Sequence, residues 1–324
     1  MVFTSGGTEG ANLAILGLLR HGAGPSGRHV ITTAIEHPAV LGACGQLEKE
    51  GAEVSVLPVG RDGVVDPEEV RRALRPNTAL VSVMHANNES GAVQPLAEIA
   101  AAVHAHGALL HSDGVHAAPR LACDVQALGV DLYSITGHKF NAPKGAGALY
   151  VREGVKLQPL QFGGRHERER RPGTENVPSI AALGCAAEWL TAHCDEESAR
   201  VAVLRDRLEA GLLDRIPDVR IASRAAVRTP NTSNVSFLSV DGEALQIALD
   251  LAGFQVSTGS ACASGAIEPS HVLSAMGATP SEARSSLRFS LGVTNDAAQV
   301  DDLVEALVKA VARQRSSAAV SRHA

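Results

Sequence analysis

An acid and a lysine each follow a short apolar segment of this sequence. Asp113 comes after residues 108–110, and Lys139 comes after residues 132–135. Pyridoxal phosphate requires such a pair, because a lysine amine forms a Schiff base with its aldehyde and a carboxylate keeps its ring nitrogen protonated. Taken alone, Lys139 is better explained by a buried salt bridge or by a surface lysine after a strand, and the surrounding elements reverse that preference.

A glycine turn at the start of the chain is a candidate phosphate site. Residues 4–9 read TSGGTE and precede a predicted helix over 11–19. Glycines let the backbone approach an anion, and the free N–H groups at a helix start bind phosphate. Thr8 alone is also explained as a helix N-cap. Together with Asp113 and Lys139, the turn completes a three-part cofactor site.

Strand-like and helical segments alternate through the first part of the chain. We predict strands at 29–35, 53–59, 79–84, 108–111, 132–136 and 147–151. We predict helices at 39–49, 67–74 and 96–106. This order indicates an α/β fold with a mostly parallel sheet and helices on both faces. Ligands bind at the carboxyl ends of strands in such sheets, where Asp113 and Lys139 lie.

The second part of the chain mixes both element types. Helices are predicted at 179–193, 196–215 and 296–313, and strands at 234–238, 256–259 and 286–290. We therefore expect a large cofactor-binding domain over 1–195 and a smaller α+β C-terminal domain over 196–324. The small, polar residues 314–324 are predicted to fray.

Composition excludes several classes of protein. Hydrophobic residues make up 45% of the chain and charged residues 20%, and the net charge is -6, so nothing indicates direct nucleic-acid binding. No apolar run approaches the roughly 20 residues of a membrane span, and no signal peptide is visible. The 5 scattered cysteines fit a reducing cytoplasm better than a disulfide framework.

Short blocks along nearly the whole chain carry a family resemblance. They are FTSGGTE (3–9), EH (36–37), HANNESG (85–91), SITGHK (134–139), RPGTEN (171–176), STGSAC (257–262) and SSLRFS (285–290). In their order and spacing they resemble the group I cysteine desulfurases, which serve iron–sulfur cluster assembly and nitrogen fixation. The resemblance implies the pyridoxal-phosphate-dependent transferase fold type I.

The resemblance also implies roles around the cofactor. Lys139 would be the Schiff-base lysine and later the proton shuttle, Asp113 would pair with the ring nitrogen, and His37 would stack on the ring. By itself His37 is explained as well as a capping residue before Pro38. Asn88 would reach both cofactor and substrate. The implied phosphate ligands are Gly7, Thr8, Thr136 and His138.

Two further positions concern the substrate and the neighbouring subunit. Thr174 resembles a family threonine that contacts the partner subunit's phosphate, which implies a homodimer. Arg288 would bind the substrate carboxylate, because a guanidinium pairs with a carboxylate through two hydrogen bonds. Without the family, a structural ion pair explains Arg288 equally well.

Cys262 is the residue on which the implied reaction depends. It lies among small residues, where a cysteine is expected to be exposed and reactive, whereas a structural cysteine is usually buried among apolar neighbours. Residues 262–269 resemble the long loop that carries the catalytic cysteine in group I. The resemblance implies that L-cysteine yields L-alanine and a persulfide on Cys262. It also implies that Cys262 can ligate a nascent iron–sulfur cluster transiently. The other cysteines are expected to be structural.

Two departures from the family pattern affect these expectations. His116 stands where the family usually has a glutamine that donates to the cofactor's phenolic oxygen, and a neutral histidine can also donate. The chain also begins inside the phosphate motif. We expect family members to have an additional N-terminal segment, so this chain resembles an N-terminally truncated member, through a misassigned start or a real truncation.

Alternatives remain open at this stage. The chain also fits a selenocysteine lyase or an aminotransferase-like enzyme of the same cofactor class, or an inactive truncated paralogue that acts as a binding partner. The sulfur acceptor, a cluster scaffold or a transfer RNA thiolation enzyme, is not specified by the sequence. The histidines at 104, 106, 111 and 116 show no metal-ligand spacing, so no resident metal is expected.

Overall fold

The structure, a computed structural model, describes residues 1–22, 27–258 and 269–321. The chain divides into two compact units. The first contains Met1–Gly60, Val64–Asn87 and Val93–Cys194, and the second contains Arg61–Gly63, Asn88–Ala92 and the chain from Asp195 onward. Cys262 lies outside the described residues.

A sheet of 7 strands organises the first unit. The strands are β1 (Val2–Thr4), β2 (His29–Thr33), β3 (Glu53–Leu57), β4 (Thr78–Ser82), β5 (Leu109–Asp113), β6 (Leu132–Thr136) and β7 (Gly147–Val151). Their order in the sheet is β1-β7-β6-β5-β4-β2-β3. The strands from β6 to β3 pair in parallel, whereas β7 pairs antiparallel with both β6 and β1. The predicted mostly parallel sheet is confirmed.

Helices cover both faces of this sheet. The helices that precede residue 177 are α1 (Gly7–Arg20), α2 (Pro38–Lys49), α3 (Pro67–Ala73), α4 (Leu96–His106), α5 (Val125–Leu128) and α6 (His166–Glu169). Successive residues of a strand point to opposite faces. Accordingly, Val30 packs in the apolar cluster of α1 and α2, and Ile31 packs in the cluster of α3 and α4.

One long helix, α7 (Val177–Arg215), contains both predicted helices over 179–193 and 196–215, so the helical assignment is confirmed and the predicted break between them is wrong. The residues between the predicted helices are Cys194 and Asp195, and neither is a glycine or proline that would end a helix. Although α7 has 39 residues, no helix in the described part of the chain combines the length and apolar character needed to cross a membrane.

The second unit contains an antiparallel sheet of 4 strands. They are β8 (Val219–Ile221), β9 (Thr232–Phe237), β10 (Ser257–Thr258) and β11 (Ser286–Ser290), in the order β10-β11-β9-β8. Its helices are α8 (Gly242–Leu251), α9 (His271–Ala275), α10 (Pro280–Arg284) and α11 (Ala297–Ser321). One face of the sheet, with Val235 and Leu287, packs in an apolar cluster with α8, α11 and the second half of α7.

The predicted fraying of 314–324 was wrong over its first residues, because α11 continues to Ser321. Two side chains attach this extension to the second unit. The guanidinium of Arg315 donates to the carbonyl of Leu238 at 2.8 Å, and the side-chain oxygen of Gln314 accepts from the backbone N–H of Asp241 at 3.1 Å. These tertiary hydrogen bonds stabilise a segment whose composition alone does not specify a helix.

Candidate active site

Asp113 is a buried carboxyl at the carboxyl end of β5. Its Oδ1 accepts from the backbone N–H of Val115 at 2.9 Å. The next residue is a glycine by necessity, because a Cβ on Gly114 would lie 2.0 Å from the Tyr133 ring. Burial raises the pKa of Asp113 to about 6, and the charge of Lys139 opposes that rise. The site therefore favours a cation beside Asp113.

Lys139 lies on a short 3₁₀ turn, Gly137–Phe140, that follows β6. Its side chain is exposed, while the adjacent Phe140 is buried and packs in an apolar cluster with Leu183 of α7. Gly137 is closely packed, since a Cβ there would lie 2.9 Å from a Leu183 methyl group. The packing fixes the turn and leaves the amine of Lys139 accessible.

The start of α1 lies beside the end of β6. Its N-cap is Gly6, and no side chain caps its first turn, so Thr8 is not the N-cap. Gly6 lies close to Thr136, since a Cβ added to Gly6 would be 3.4 Å from Thr136 Oγ1. The same hydroxyl oxygen is 3.0 Å from His138 Nδ1. Uncapped backbone N–H groups at a helix start, facing a hydroxyl and an imidazole, can bind an anion such as a phosphate.

A carboxylate in the first turn of α1 is neutralised. Glu9 forms a salt bridge with Arg171, whose Nε lies 2.8 Å from Glu9 Oε1. Burial acts to raise the pKa of Glu9, but hydrogen bonds from Arg171 and Ser5 keep this pKa below its usual value. The ion pair cancels a charge that would otherwise repel an anion at this helix start.

His37 is the N-cap of α2, and its Nδ1 accepts from the backbone N–H of Ala39 at 3.1 Å. His37 is therefore a capping residue through its Nδ1 atom, as one of the two sequence interpretations predicts. Capping also fixes the ring, which is half-buried. Whether the ring stacks on a cofactor stays a prediction, and the two roles are compatible because capping uses a nitrogen and stacking uses the ring face.

Two buried side chains join the segment before His37 to the segment after β4. Glu36 Oε1 accepts from the Thr33 hydroxyl at 2.7 Å and from the backbone N–H of Met84 at 2.9 Å. In the opposite direction, Asn87 Nδ2 donates to the carbonyl of Ile35 at 2.9 Å. Neither side chain has a role that the sequence predicts. The sequence feature that could have indicated a role is that each residue is polar and directly precedes a candidate site residue, His37 or Asn88.

Glu36 is fully buried and electrostatically coupled to Asp113. Burial, with a smaller contribution from the charge of Asp113, raises the pKa of Glu36 to about 8, although the hydrogen bonds from Met84 and Thr33 oppose the rise. Two neighbouring carboxylates in a buried site do not both ionise easily. Near neutral pH the proton therefore resides on Glu36, and Asp113 carries the charge.

Replacing Glu36 with glutamine should make stability less dependent on pH. The pKa of Glu36 rises on folding from 4.5 to about 8, so its contribution is fully present below about pH 4.5 and is lost as the pH rises towards 8. Wild-type protein should lose on the order of a few kcal/mol over this range. Glutamine keeps the acceptor and never ionises, so the Glu36→Gln profile should be flatter.

Urea unfolding of cofactor-free protein between pH 5 and pH 8.5 measures this difference, in steps spaced by roughly half a unit. Glu48→Gln is the matched control, because Glu48 is an exposed carboxyl on α2. Parallel curves for wild type and Glu36→Gln would show that Glu36 does not titrate in this range.

His116 and Thr174 occupy loops of the first unit. His116 is half-buried in the turn that follows Asp113, and Thr174 is exposed in the segment before α7. The preceding Gly173 has a φ of 104°, which favours glycine. The exposure of Thr174 leaves its hydroxyl accessible to another molecule.

In the second unit, Asn88 and Arg288 lie together. Arg288 is on β11, and its Nη1 donates to the backbone carbonyl of Asn88 at 3.1 Å. The Nε of Arg288 is buried and has no hydrogen-bond partner in residues 1–22, 27–258 and 269–321. Cys262, the predicted catalytic cysteine, is outside the described residues.

The other four cysteines differ from one another. Cys44 is buried in α2, and burial raises the pKa of its thiol to about 12. Cys123 is half-buried and accepts from the Tyr133 hydroxyl at 3.1 Å. Cys194 is half-buried on α7, but Cys185, also on α7, is exposed. The expectation of a structural role therefore does not suit Cys185.

Two of the histidines considered as metal ligands have separate partners. His104 Nε2 lies 3.0 Å from Asp131, and His111 lies between the hydroxyls of Ser82 and Ser134. Burial lowers the pKa of His111 to about 3, so this ring is neutral. His111 supports the strand that ends in Asp113, a role that its position two residues before the aspartate suggests.

The first-unit residues fit pyridoxal phosphate. Buried Asp113 is suited to a cationic ring nitrogen, the exposed amine of Lys139 to an aldehyde, and the uncapped start of α1 with Thr136 to a phosphate. These three chemistries occur at the carboxyl ends of adjacent strands and at the helix start next to them. This edge is where ligands bind in open α/β sheets.

Comparisons with known proteins cover the same elements. The sequence profile of the family described as aminotransferase class-V matches residues 1–303. A cysteine desulfurase from Gluconacetobacter diazotrophicus is 46% identical over 316 residues, which are 97% of this chain and 78% of that protein. A solved NifS-like protein is similar with a TM-score of 0.88 and 34% identity, over 96% of this chain and 82% of that one. SspA in complex with cysteine has a TM-score of 0.78 and 35% identity, over 90% and 80% of the two chains.

Proposed function

We propose that this chain, which belongs to the aminotransferase class-V family and within it to the cysteine desulfurases, removes the sulfur atom of L-cysteine and passes it on through Cys262. The observation that carries this proposal is the coupling of buried Asp113 to the accessible Lys139 at adjacent strand ends. The enzymes of this family depend on pyridoxal phosphate. The overall reaction converts L-cysteine and the Cys262 thiol into L-alanine and a persulfide on Cys262.

The first unit would hold the cofactor. Asp113 would pair with its ring nitrogen, Lys139 would bond to its aldehyde carbon, and His37 would cover one ring face. Backbone N–H groups from Gly7 onward, with the side chains of Thr8, Thr136 and His138, would bind its phosphate. His116 would donate to the phenolic oxygen. When bound, the cofactor supplies an electron sink for the bond that breaks at the substrate α-carbon.

Protonation at three first-unit groups supports this arrangement. The proton on Glu36 leaves Asp113 as the anion that can hold a ring nitrogen in its protonated form. Burial and the charges of Lys139 and Lys144 lower the pKa of His138, so this exposed ring is neutral and can donate one hydrogen bond to a phosphate. Lys139, released from the aldehyde carbon, would take the proton from the substrate α-carbon and return it to the product.

The second unit would hold the substrate. Arg288 would bind the α-carboxylate of L-cysteine, and Asn88 would contact both substrate and cofactor. The Cys262 thiolate would attack the substrate sulfur. The bond between that sulfur and the β-carbon breaks, a sulfur–sulfur bond forms on Cys262, and the remaining three-carbon fragment takes up a proton as L-alanine.

A homodimer and a sulfur acceptor complete the proposal. Thr174, exposed before α7, would contact the phosphate bound to the neighbouring subunit. An acceptor protein, either a scaffold for iron–sulfur clusters or an enzyme that thiolates transfer RNA, would take the sulfur from Cys262. The exposed position of Thr174 supports the first part of this proposal.

Replacing Thr174 with alanine should weaken cofactor retention about 10-fold, since a hydrogen bond to a charged group contributes about 1.5 kcal/mol or more. Cofactor release is measured by dialysis and absorbance, and subunit mass by light scattering. Thr191→Ala is the matched control, because Thr191 is exposed on α7 and donates to Ala187 of the same helix. A monomer with full cofactor occupancy would contradict the shared site.

Product analysis tests the proposed function. Purified protein loaded with pyridoxal phosphate is incubated with L-cysteine and a thiol reductant, and alanine and sulfide are measured. Equal amounts of both are expected over many turnovers. Pyruvate with an aminated acceptor would indicate aminotransfer, a strong preference for selenocysteine would indicate a lyase for that substrate, and no product would indicate a non-catalytic binding protein.

A further inference from the structure

Asn234 of β9 is a buried amide whose hydrogen bonds are not made. Its side chain is 0% exposed, and neither its oxygen nor its nitrogen has a hydrogen-bond partner among the residues that the structure describes. Leaving a buried polar group unsatisfied costs about 1–3 kcal/mol, so most such groups in proteins are paired. An asparagine at this position therefore requires a reason beyond the folding of the second unit.

The position of Asn234 in the sheet provides a partner. In the antiparallel pair of β9 and β11, Asn234 is directly opposite Arg288. Opposite residues place their Cβ atoms about 5 Å apart on the same face of the sheet. Within the described part of the chain, Arg288 Nε is also buried without a hydrogen-bond partner. An unsatisfied donor and an unsatisfied amide thus occur at the same register position.

The rest of the strand does not explain the amide. Val235 and Phe237 point into the apolar cluster of the second unit, whereas Thr232, Asn234 and Ser236 alternate with them on the other face. The two neighbours of Asn234 on that face have small hydroxyl side chains. On the β11 side of β9, Thr232 and Ser236 are opposite Ser290 and Ser286, whereas Asn234 is opposite a long cation. On the β8 side, Ser236 is opposite Arg220, whose guanidinium forms a salt bridge with Glu282.

We infer that Asn234 is a positioning residue for Arg288, accepting from Nε so that both Nη groups face the carboxylate of the substrate. This inference rests on the proposed function, in which Arg288 binds that carboxylate. In the structure, Arg288 Nη1 donates to the carbonyl of Asn88. Binding of a carboxylate would replace that neutral acceptor by a charged one, and the guanidinium would turn until Nε meets Asn234 Oδ1.

A neighbouring carboxyl does not take over this role. Glu89 is buried and accepts from the Ser270 hydroxyl at 2.5 Å. Burial raises the pKa of Glu89, although Ser270, His271 and Arg288 oppose the rise. Burial thus works against the carboxylate form of Glu89, which is the form that would compete with a ligand carboxylate for the guanidinium. An amide at 234 has the same advantage, since it orients Arg288 without neutralising it.

The test compares ligands with and without a carboxylate. Dissociation constants of L-alanine and L-alaninamide are measured by calorimetry on cofactor-loaded wild type, Asn234→Ala and Asn234→Asp. Asn234→Ala should bind L-alanine about 10-fold more weakly and L-alaninamide unchanged, since the lost hydrogen bond acts only on the carboxylate. Asn234→Asp should bind L-alanine more weakly still, because its charge competes for Arg288.

Controls separate positioning from a structural role. Ser236→Ala, two residues along the same strand face, should change neither constant. Arg288→Ala should weaken L-alanine binding, and adding Asn234→Ala to it should have no further effect. Thermal unfolding should be unchanged in Asn234→Ala, because no hydrogen bond is lost in the free protein. Asn234→Ser serves if the alanine variant does not fold.

Equal weakening for both ligands, or no weakening for L-alanine, would overturn the inference. So would additive effects in the double variant, since they would mean that Asn234 acts independently of Arg288. Failure of the proposed function is seen separately, in wild type. Wild type could form no sulfide while the Asn234 variants still bind L-alanine more weakly than wild type does. In that case the positioning role stands and the desulfurase activity does not.

Discussion

Replacing Lys139 with alanine should reduce alanine and sulfide production by at least about 10³-fold, because the variant loses both a covalent attachment and a proton carrier. Lys139 is exposed on a turn that buried Phe140 anchors, so the change should leave the fold intact. Lys139→Arg should be equally inactive, since a guanidinium stays protonated and forms no Schiff base.

Borohydride reduction followed by mass spectrometry measures the attachment directly. Wild-type protein should carry the reduced cofactor on Lys139, and the alanine variant should carry none. Lys144→Ala is the matched control, because Lys144 is a nearby lysine whose charge also lowers the pKa of His138. Covalent labelling that persists in Lys139→Ala would show that another residue forms the linkage.

Replacing Cys262 with serine should abolish sulfur transfer and leave cofactor binding unchanged. The thiolate attacks the sulfur of the substrate and not the cofactor ring, and a serine hydroxyl is a far weaker nucleophile. The absorbance of the bound cofactor should therefore match that of wild type, and its shift on adding L-cysteine should remain. Sulfide and alanine should fall to the background of cofactor without protein.

Mass spectrometry after treatment with L-cysteine locates the transferred sulfur. The additional mass is expected on the peptide that contains Cys262. Cys185→Ser is the control, because Cys185 is the exposed thiol on α7 and the one most accessible to non-specific transfer. An extra sulfur on Cys185, with activity retained in Cys262→Ser, would contradict the assignment of Cys262.

Sequence alone specified the local parts of the site. Apolar segments that end in Asp113 and Thr136 predict strand ends, and a glycine turn before a helix predicts an anion site. Both signals are local, because strand and helix preferences and glycine turns are properties of neighbouring residues. The motif blocks added the family and the roles of residues such as Arg288. A motif match indicates which residues take part in the reaction. It does not indicate which other side chains position those residues.

Only the tertiary structure decided the features that depend on distant residues. The continuation of α11 to Ser321 depends on hydrogen bonds from Arg315, and β1 exists because it pairs with β7. The hydrogen bond from the backbone N–H of Met84 to Glu36 joins segments far apart in sequence, and so does the pairing of Asn234 with Arg288. Strand register and burial are set by packing of the whole unit, so the unusual pKa of Glu36 and the unsatisfied amide of Asn234 are absent from any local pattern.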